Sequence, residues 1–327
     1  MKEENNIKIF SGSASTELAK KIAKNLGIPL SKSEIIHFAD GETFAKSDTT
    51  VRGDKVFIIQ STSTPVNENI MELLVFIDSL KRASAKEIVA VVPYYGYARQ
   101  DRKAHPREPI TAKLVADLLT TAGATRVVTM DLHARQIQGF FNIPVDHMEA
   151  LPIFAEYFLT AGFSPEDTVV VSPDIGGVKR ARALATWLHS PLAIIDKRRP
   201  KPNVSEVMNL IGDVKGKKAI IIDDLIDTAG TICNAADALK KFGAKEVYVC
   251  ATHPVFSGPA KERLQNSVAK KVIVSDSIEL PEDKKFEKLE IVSCADILSE
   301  TIERIYKDIA ISGLFEIPKE IEVKLND

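Results

Sequence analysis

The stretch IIIDDLIDTAGTI (220–232) holds the densest set of groups in the chain that suit ligand chemistry. A β-branched run stops at two adjacent acids, Asp223 and Asp224, which predicts a buried strand ending there and a turn after it. Asp227, Thr228, Ala229, Gly230 and Thr231 follow. Apolar positions then recur with helical spacing at Ile232, Ala235, Ala236 and Leu239, and Gly243 closes the pattern. Small residues and hydroxyls therefore fall where a helix start leaves backbone N–H groups unsatisfied, an arrangement that binds phosphate. Two carboxylates repel phosphate but accept hydrogen bonds from the hydroxyls of a diol. Phosphate on one side and a diol on the other describe a ribose phosphate. An acidic turn before a capped helix is the plainer alternative. It accounts for DTAGT alone better than for the whole DDLIDTAGT after a strand. No G-x-x-x-x-G-K-[ST] or G-x-G-x-x-G occurs, so neither common nucleotide loop is present.

Other groups suit phosphate chemistry. Asp131 and His133, two apart after TRVVTM (125–130), would face the same way on an extended chain. With Asp174 they suit a divalent cation and its waters, although a structural role for His133 is an equal reading. Lys197, Arg198 and Arg199 open a long polar stretch (197–218) broken by Pro200 and Pro202, expected to be a mobile surface loop. Their positive charge suits a group transfer in which negative charge develops. A solvated surface is the ordinary reading of such a run. A second basic loop, ARQDRKAHPREP (98–109), contains Arg99, which suits phosphate bidentately or the face of an adenine. Phe38 suits a stacked base or an ordinary core position.

These groups need rigid elements to hold them. Strand-like runs recur at 7–10, 55–60, 87–93, 125–130, 167–172, 219–224 and 246–251, with helical patterns between them such as 16–26, 67–82 and 110–121. Continuous apolar strands imply burial on both faces, hence an α/β fold of mainly parallel sheets flanked by helices. KVFIIQ and KAIIIDD open two copies of one pattern, which continue to AKEIVAVVP and AKEVYVCATHP. This points to two related halves, although any two β-turn-helix-β units share such physics. The 327 residues suit about two domains. The expected boundaries are 1–149 and 150–307, with a tail at about 308–327 packing on the first domain. A net charge of −2 gives no sequence-wide nucleic-acid footprint. No run approaches the roughly 20 apolar residues of a membrane span. Three scattered cysteines form no disulfide framework, which suits a reducing cytoplasm.

DDLIDTAGT resembles the ribose-phosphate loop of the phosphoribosyltransferase fold. Taken with FADGE (38–42), YYGYARQDRK (94–103), MDLHARQIQGFF (130–141), SPDIGG (172–177) and IIDKRRP (194–200), the chain resembles the ribose-phosphate diphosphokinase family, bacterial class I type, almost end to end. The resemblance implies two phosphoribosyltransferase-type domains. It also implies an enzyme making 5-phosphoribosyl 1-diphosphate and AMP from ATP and ribose 5-phosphate with Mg²⁺. It assigns catalysis to Lys197 and Arg199, with Arg199 also at the sugar phosphate. Asp223, Asp224 and residues Asp227, Thr228, Ala229, Gly230 and Thr231 fall at ribose 5-phosphate. His133 and Asp174 fall at the metal. Phe38, Asp40, Gly41, Glu42, Arg99, Gln100 and Asp101 fall at ATP. The resemblance further implies a homohexamer in which a neighbouring subunit completes the ATP site. It implies activation by inorganic phosphate, with Thr50, Arg52, Ser312 and Phe315 at a regulatory site. Ala39, where the family commonly has Ser, and TFAKSDTTVRG (43–53) depart from its usual form. A phosphoribosyltransferase and a silent regulatory subunit are the alternatives. The first is opposed by the ATP-type stretches and the second by the intact motifs.

Overall fold

The computed structural model describes residues 7–198 and 207–315. They divide into two units, 7–149 with 277–279 and 293–315, and 150–276 with 280–292. The first unit begins with β1 (Ile7–Ser11), α1 (Thr16–Leu26), β2 (Ser33–His37), β3 (Thr43–Ser47) and β4 (Lys55–Ile59). It continues through α2 (Val66–Arg82), β5 (Glu87–Val92), α3 (Thr111–Ala122), β6 (Arg126–Met130) and β7 (Val145–Met148). Five of these strands form one sheet in the order β1-β4-β5-β6-β7, parallel throughout. Every residue of β4 is buried, as a strand covered on both faces requires. The remaining two strands, β2 and β3, form a separate antiparallel hairpin. β3 packs on α2.

The second unit contains α4 (Leu151–Thr160), β8 (Thr168–Ser172), α5 (Val178–Trp187), β9 (Leu192–Arg198), β10 (Val207–Ile211) and β11 (Lys218–Ile226). After these come α6 (Gly230–Lys241), β12 (Glu246–Pro254), α7 (Ala260–Asn266), β13 (Lys271–Ser275) and β14 (Leu289–Val292). The sheet order is β10-β9-β8-β11-β12-β13-β14, with β10 alone antiparallel to its neighbour. Leaving β8 the chain moves to β9 on one side, and leaving β11 it moves to β12 on the other. The carboxyl ends of β8 and β11 therefore flank a topological switch point, where ligands of open α/β sheets bind. Five strands in the order β8-β11-β12-β13-β14 repeat the first unit's order, in accord with the repeat read from KVFIIQ and KAIIIDD.

The last helix, α8 (Ala295–Tyr306), groups with the first unit and packs on α1. Its buried face includes Leu298, Ile302 and Ile305. Asn25 Nδ2 donates to Asp296 Oδ1 at 2.6 Å, and the buried Lys55 ammonium donates to the Ile305 carbonyl at 3.1 Å. Two expectations change. The stretch 197–218, read as one loop, contributes β10, which pairs with β9 from Val207↔Arg198 to Ile211↔Ile194. Strand β11 does not stop at its acids but runs on to Ile226, because Leu225 and Ile226 still register with His253 and Pro254 of β12.

Candidate functional site

Asp223 and Asp224 sit near the carboxyl end of β11, where alternation along a strand sends neighbouring side chains to opposite faces. Asp224 is buried at 5% exposure, and the Asp223 side chain keeps about a quarter of its surface. The Asp224 N–H donates to Asp223 Oδ1 at 2.9 Å. Arg180, in the first turn of α5, brings one guanidinium nitrogen to both acids, 3.2 Å from Asp223 Oδ1 and 3.4 Å from Asp224 Oδ1. Burial, and after it the negative charge of Asp224, push the Asp223 carboxyl up to about 8, while Arg180 acts the other way. Such a pair can accept hydrogen bonds from vicinal hydroxyls, and Arg180 offsets its negative charge.

Beyond β11 the chain turns through Asp227, Thr228 and Ala229 into α6, which begins at Gly230. Ala229 takes the left-handed conformation, φ 62°, and no side chain caps the helix start. The N–H groups at 230–232 therefore point out of the helix end without an intrahelical acceptor, where its dipole favours an anion. Thr228 is exposed and Thr231 exposed beside it. Arg263 of α7 donates from Nη1 to the Thr228 carbonyl at 2.9 Å. The expected loop Asp227–Thr231 is thus assembled with the two acids in one unit, at the switch point.

After β8, Asp174 is exposed, and its Oδ1 accepts the Gly177 N–H at 2.9 Å, opening α5. The Ser172 hydroxyl donates to the Asp174 carbonyl at 2.6 Å. Lys197 lies in β9, its side chain outside the described residues, and Arg199 lies outside them altogether.

The other expected groups belong to the first unit. Phe38, Asp40, Gly41 and Glu42 form the exposed tip of the β2–β3 hairpin. Phe38 N–H donates to Glu42 O at 2.8 Å, and Gly41, at φ +92°, returns an N–H to Phe38 O at 2.9 Å. Phe38 is 47% exposed, which removes the core reading of this ring. Arg99 and Gln100 are exposed, and Asp101 accepts from Gln136 Nε2 at 3.0 Å. His133 is exposed. Asp131 does not continue a strand, so the argument that it shares a face with His133 fails. Its φ is 38°, and the Leu132 N–H after it donates to the buried His147 Nε2 at 2.9 Å. Thr50, Arg52, Ser312 and Phe315 are all exposed in this unit.

Among the described residues no group of three or more His, Cys, Asp or Glu is spaced to hold a metal ion. Magnesium commonly takes one or two protein ligands and leaves its other positions to water and phosphate. No described helix is long and apolar enough to cross a membrane.

Neither Arg180 nor Arg263 stands out in the sequence as a site residue. Arg180 stands 43 positions from Asp223 and Arg263 stands 35 from Thr228. The available signal for Arg180 was SPDIGG, a strand end opening a helix whose first turn faces the neighbouring strand.

Residues 7–123 match the family model for the N-terminal domain of ribose phosphate pyrophosphokinase, and 197–316 match that for the phosphoribosyl synthetase-associated domain. A ribose-phosphate pyrophosphokinase of Fusobacterium nucleatum is 63% identical over 311 residues, 95% of this chain and 98% of that protein. One from Bacillus cereus is 60% identical over 310 residues, 95% of this chain and 97% of that protein. The crystal structure of phosphoribosylpyrophosphate synthetase from Mycobacterium smegmatis superposes with a TM-score of 0.87 at 47% identity, covering 93% of this chain and 99% of that one.

Proposed function

This chain belongs to the ribose-phosphate pyrophosphokinase family, and from that premise we infer how its residues share the work. It transfers the diphosphoryl group of ATP to the 1-hydroxyl of ribose 5-phosphate, giving 5-phosphoribosyl 1-diphosphate and AMP. The observation that carries the reading is the acid pair of β11 joined to an uncapped helix start at a switch point. Asp223 and Asp224 accept hydrogen bonds from the sugar hydroxyls and orient the ring. The amides and hydroxyls of Thr228–Thr231 take the 5-phosphate. The 1-hydroxyl is thereby presented as the nucleophile; its oxygen bonds to the β-phosphorus as the bond to the α-phosphate oxygen breaks and AMP leaves.

Lys197 and Arg199 offset the negative charge that develops in transfer, a role typically worth about 3–4 kcal/mol per group. Phe38 supplies a face for the adenine, Asp40, Gly41 and Glu42 polar contacts, and Arg99, Gln100 and Asp101 further ATP contacts. Magnesium supplies charge neutralisation on the phosphates when bound. Its protein ligands are assigned as His133 and Asp174. Further parts of the reading are a cytoplasmic homohexamer, a neighbouring subunit's hairpin at the ATP site, and phosphate activation through Thr50, Arg52, Ser312 and Phe315. Exposure of the hairpin tip supports the second of these.

The test is to incubate the purified chain with ATP, Mg²⁺ and ribose 5-phosphate, with and without inorganic phosphate. AMP should form only with the sugar phosphate present. Formation of product from a nucleobase instead would make the chain a phosphoribosyltransferase. No turnover without an added partner chain would make it a silent regulatory relative.

A further inference from the structure

Three consecutive carbonyls of the phosphate loop are held from one side by one neighbouring segment. Phe256 N–H donates to Ile226 O at 3.0 Å, and Ser257 N–H to Asp227 O at 3.0 Å. Arg263 Nη1 donates to Thr228 O at 2.9 Å. In a planar trans peptide the carbonyl of one residue and the N–H of the next point in opposite directions. Holding these three carbonyls toward the segment therefore turns the N–H groups of Asp227, Thr228 and Ala229 away from it. Ala229, at φ 62° and ψ 0°, then leads directly into the uncapped first turn of α6. The result is a row of amides running into a helix start, the arrangement of an anion-binding nest.

Two of the three ties are backbone to backbone and do not depend on which side chains are present. Arg263 makes the only side-chain tie of the three. Space is kept for it: a Cβ at Gly230 would stand 3.3 Å from Arg263 Nη1, closer than such contacts comfortably allow. The glycine of DTAGT thus serves the guanidinium behind the loop as well as a ligand in front of it.

We propose that Arg263 is a positioning residue for the sugar substrate's 5-phosphate, locking the Thr228 carbonyl so that the Ala229 amide faces the phosphate. The proposal rests on the reading of this loop as the ribose 5-phosphate site. Arg263 acts through the loop and touches no reacting atom. Its loss therefore weakens retention of the sugar phosphate and leaves both the ATP interaction and the chemical step in place.

Steady-state kinetics of the full chain with Arg263→Ala and Arg263→Gln test this, each substrate varied at saturating concentration of the other. Arg263→Ala should raise KM for ribose 5-phosphate about tenfold or more, equivalent to about 1.4 kcal/mol. Its kcat and KM for ATP should stay within about twofold of the parent. Arg263→Gln retains an N–H donor for the Thr228 carbonyl and should recover most of the loss. An unchanged KM for ribose 5-phosphate, an equal rise for ATP, or a Gln variant as impaired as Ala would each overturn the proposal. Should the Ala chain not fold, Arg263→Met, which keeps the apolar stem, takes its place with the same expected result. Calorimetric titration of ribose 5-phosphate without ATP separates the two layers of inference. A parent that binds the sugar phosphate but makes no AMP contradicts the diphosphokinase reading. A parent and an Ala variant that bind it equally contradict the role of Arg263.

Discussion

The acid pair of β11 sets a pH dependence that belongs to single residues. Asp223 titrates at about 8 in the folded chain against an ordinary value of 3.8, chiefly through burial and then the charge of Asp224. Between those values the folded state holds a proton that the unfolded chain has lost. The stability contributed by this group is thus full below about pH 4 and is lost as the pH rises through about 8. Asp223→Asn, which keeps shape but cannot ionise, should therefore melt higher than the parent at pH 9. The gain should shrink steadily toward pH 4. Thermal melts across that range check it, and a gain that did not vary with pH would contradict the assignment. The contiguity of these acids with DTAGT is why the site could be read from sequence at all. Arg180 and Arg263 were harder to read because a cation that approaches from another helix leaves no pattern contiguous with the groups it serves. Asp131 misled for the complementary reason: the spacing rule assumes a strand, and a left-handed turn stands there instead.

Among the elements, strands were the most legible. Runs such as KVFII and EIVAVV are apolar at every position after the first, and sheets covered on both faces leave no other place for them. The ends were less so, because tertiary pairing carries β11 two residues past its acids and makes β10 out of a stretch that reads as loop. The β2–β3 hairpin illustrates what burial decides about function. Phe38 stands at its tip with nearly half its surface in solvent, so it contributes little to the core. Phe38→Ala should change stability by less than about 0.5 kcal/mol, as surface substitutions usually do. It should nonetheless raise KM for ATP several-fold if the ring stacks on adenine. Chemical denaturation alongside ATP-dependence measurements separates the two, and an unchanged KM would remove Phe38 from the ATP site.

At the scale of the whole molecule, the repeat visible as KVFIIQ and KAIIIDD becomes a shared strand order in the two units, yet only the second carries the acids and the small-residue loop. The corresponding stretch of the first unit, after β4, is sealed by its own contacts. The Ser61 hydroxyl donates to the Ser277 carbonyl, and the Thr62 hydroxyl donates to the Tyr94 carbonyl while accepting the Gly96 N–H. The chain's return as α8 was the least legible feature, because an amphipathic helix records that it covers a surface but not which one. Its Ile302 is fully buried in the first unit. Ile302→Ala should cost about 2–5 kcal/mol, seen as a lowered urea midpoint, and a cost below about 1 kcal/mol would argue that α8 is dispensable there.

The central claim is that the loop presents the sugar's 1-hydroxyl to the β-phosphorus of ATP. Ribose 5-phosphate carrying ¹⁸O at its 1-hydroxyl tests it most directly, with the products separated and weighed by mass spectrometry. The label should appear in 5-phosphoribosyl 1-diphosphate, in the oxygen bridging C1 and phosphorus, with unlabelled AMP formed in equal amount. Loss of the label from that bridge, or ADP in place of AMP, would contradict it.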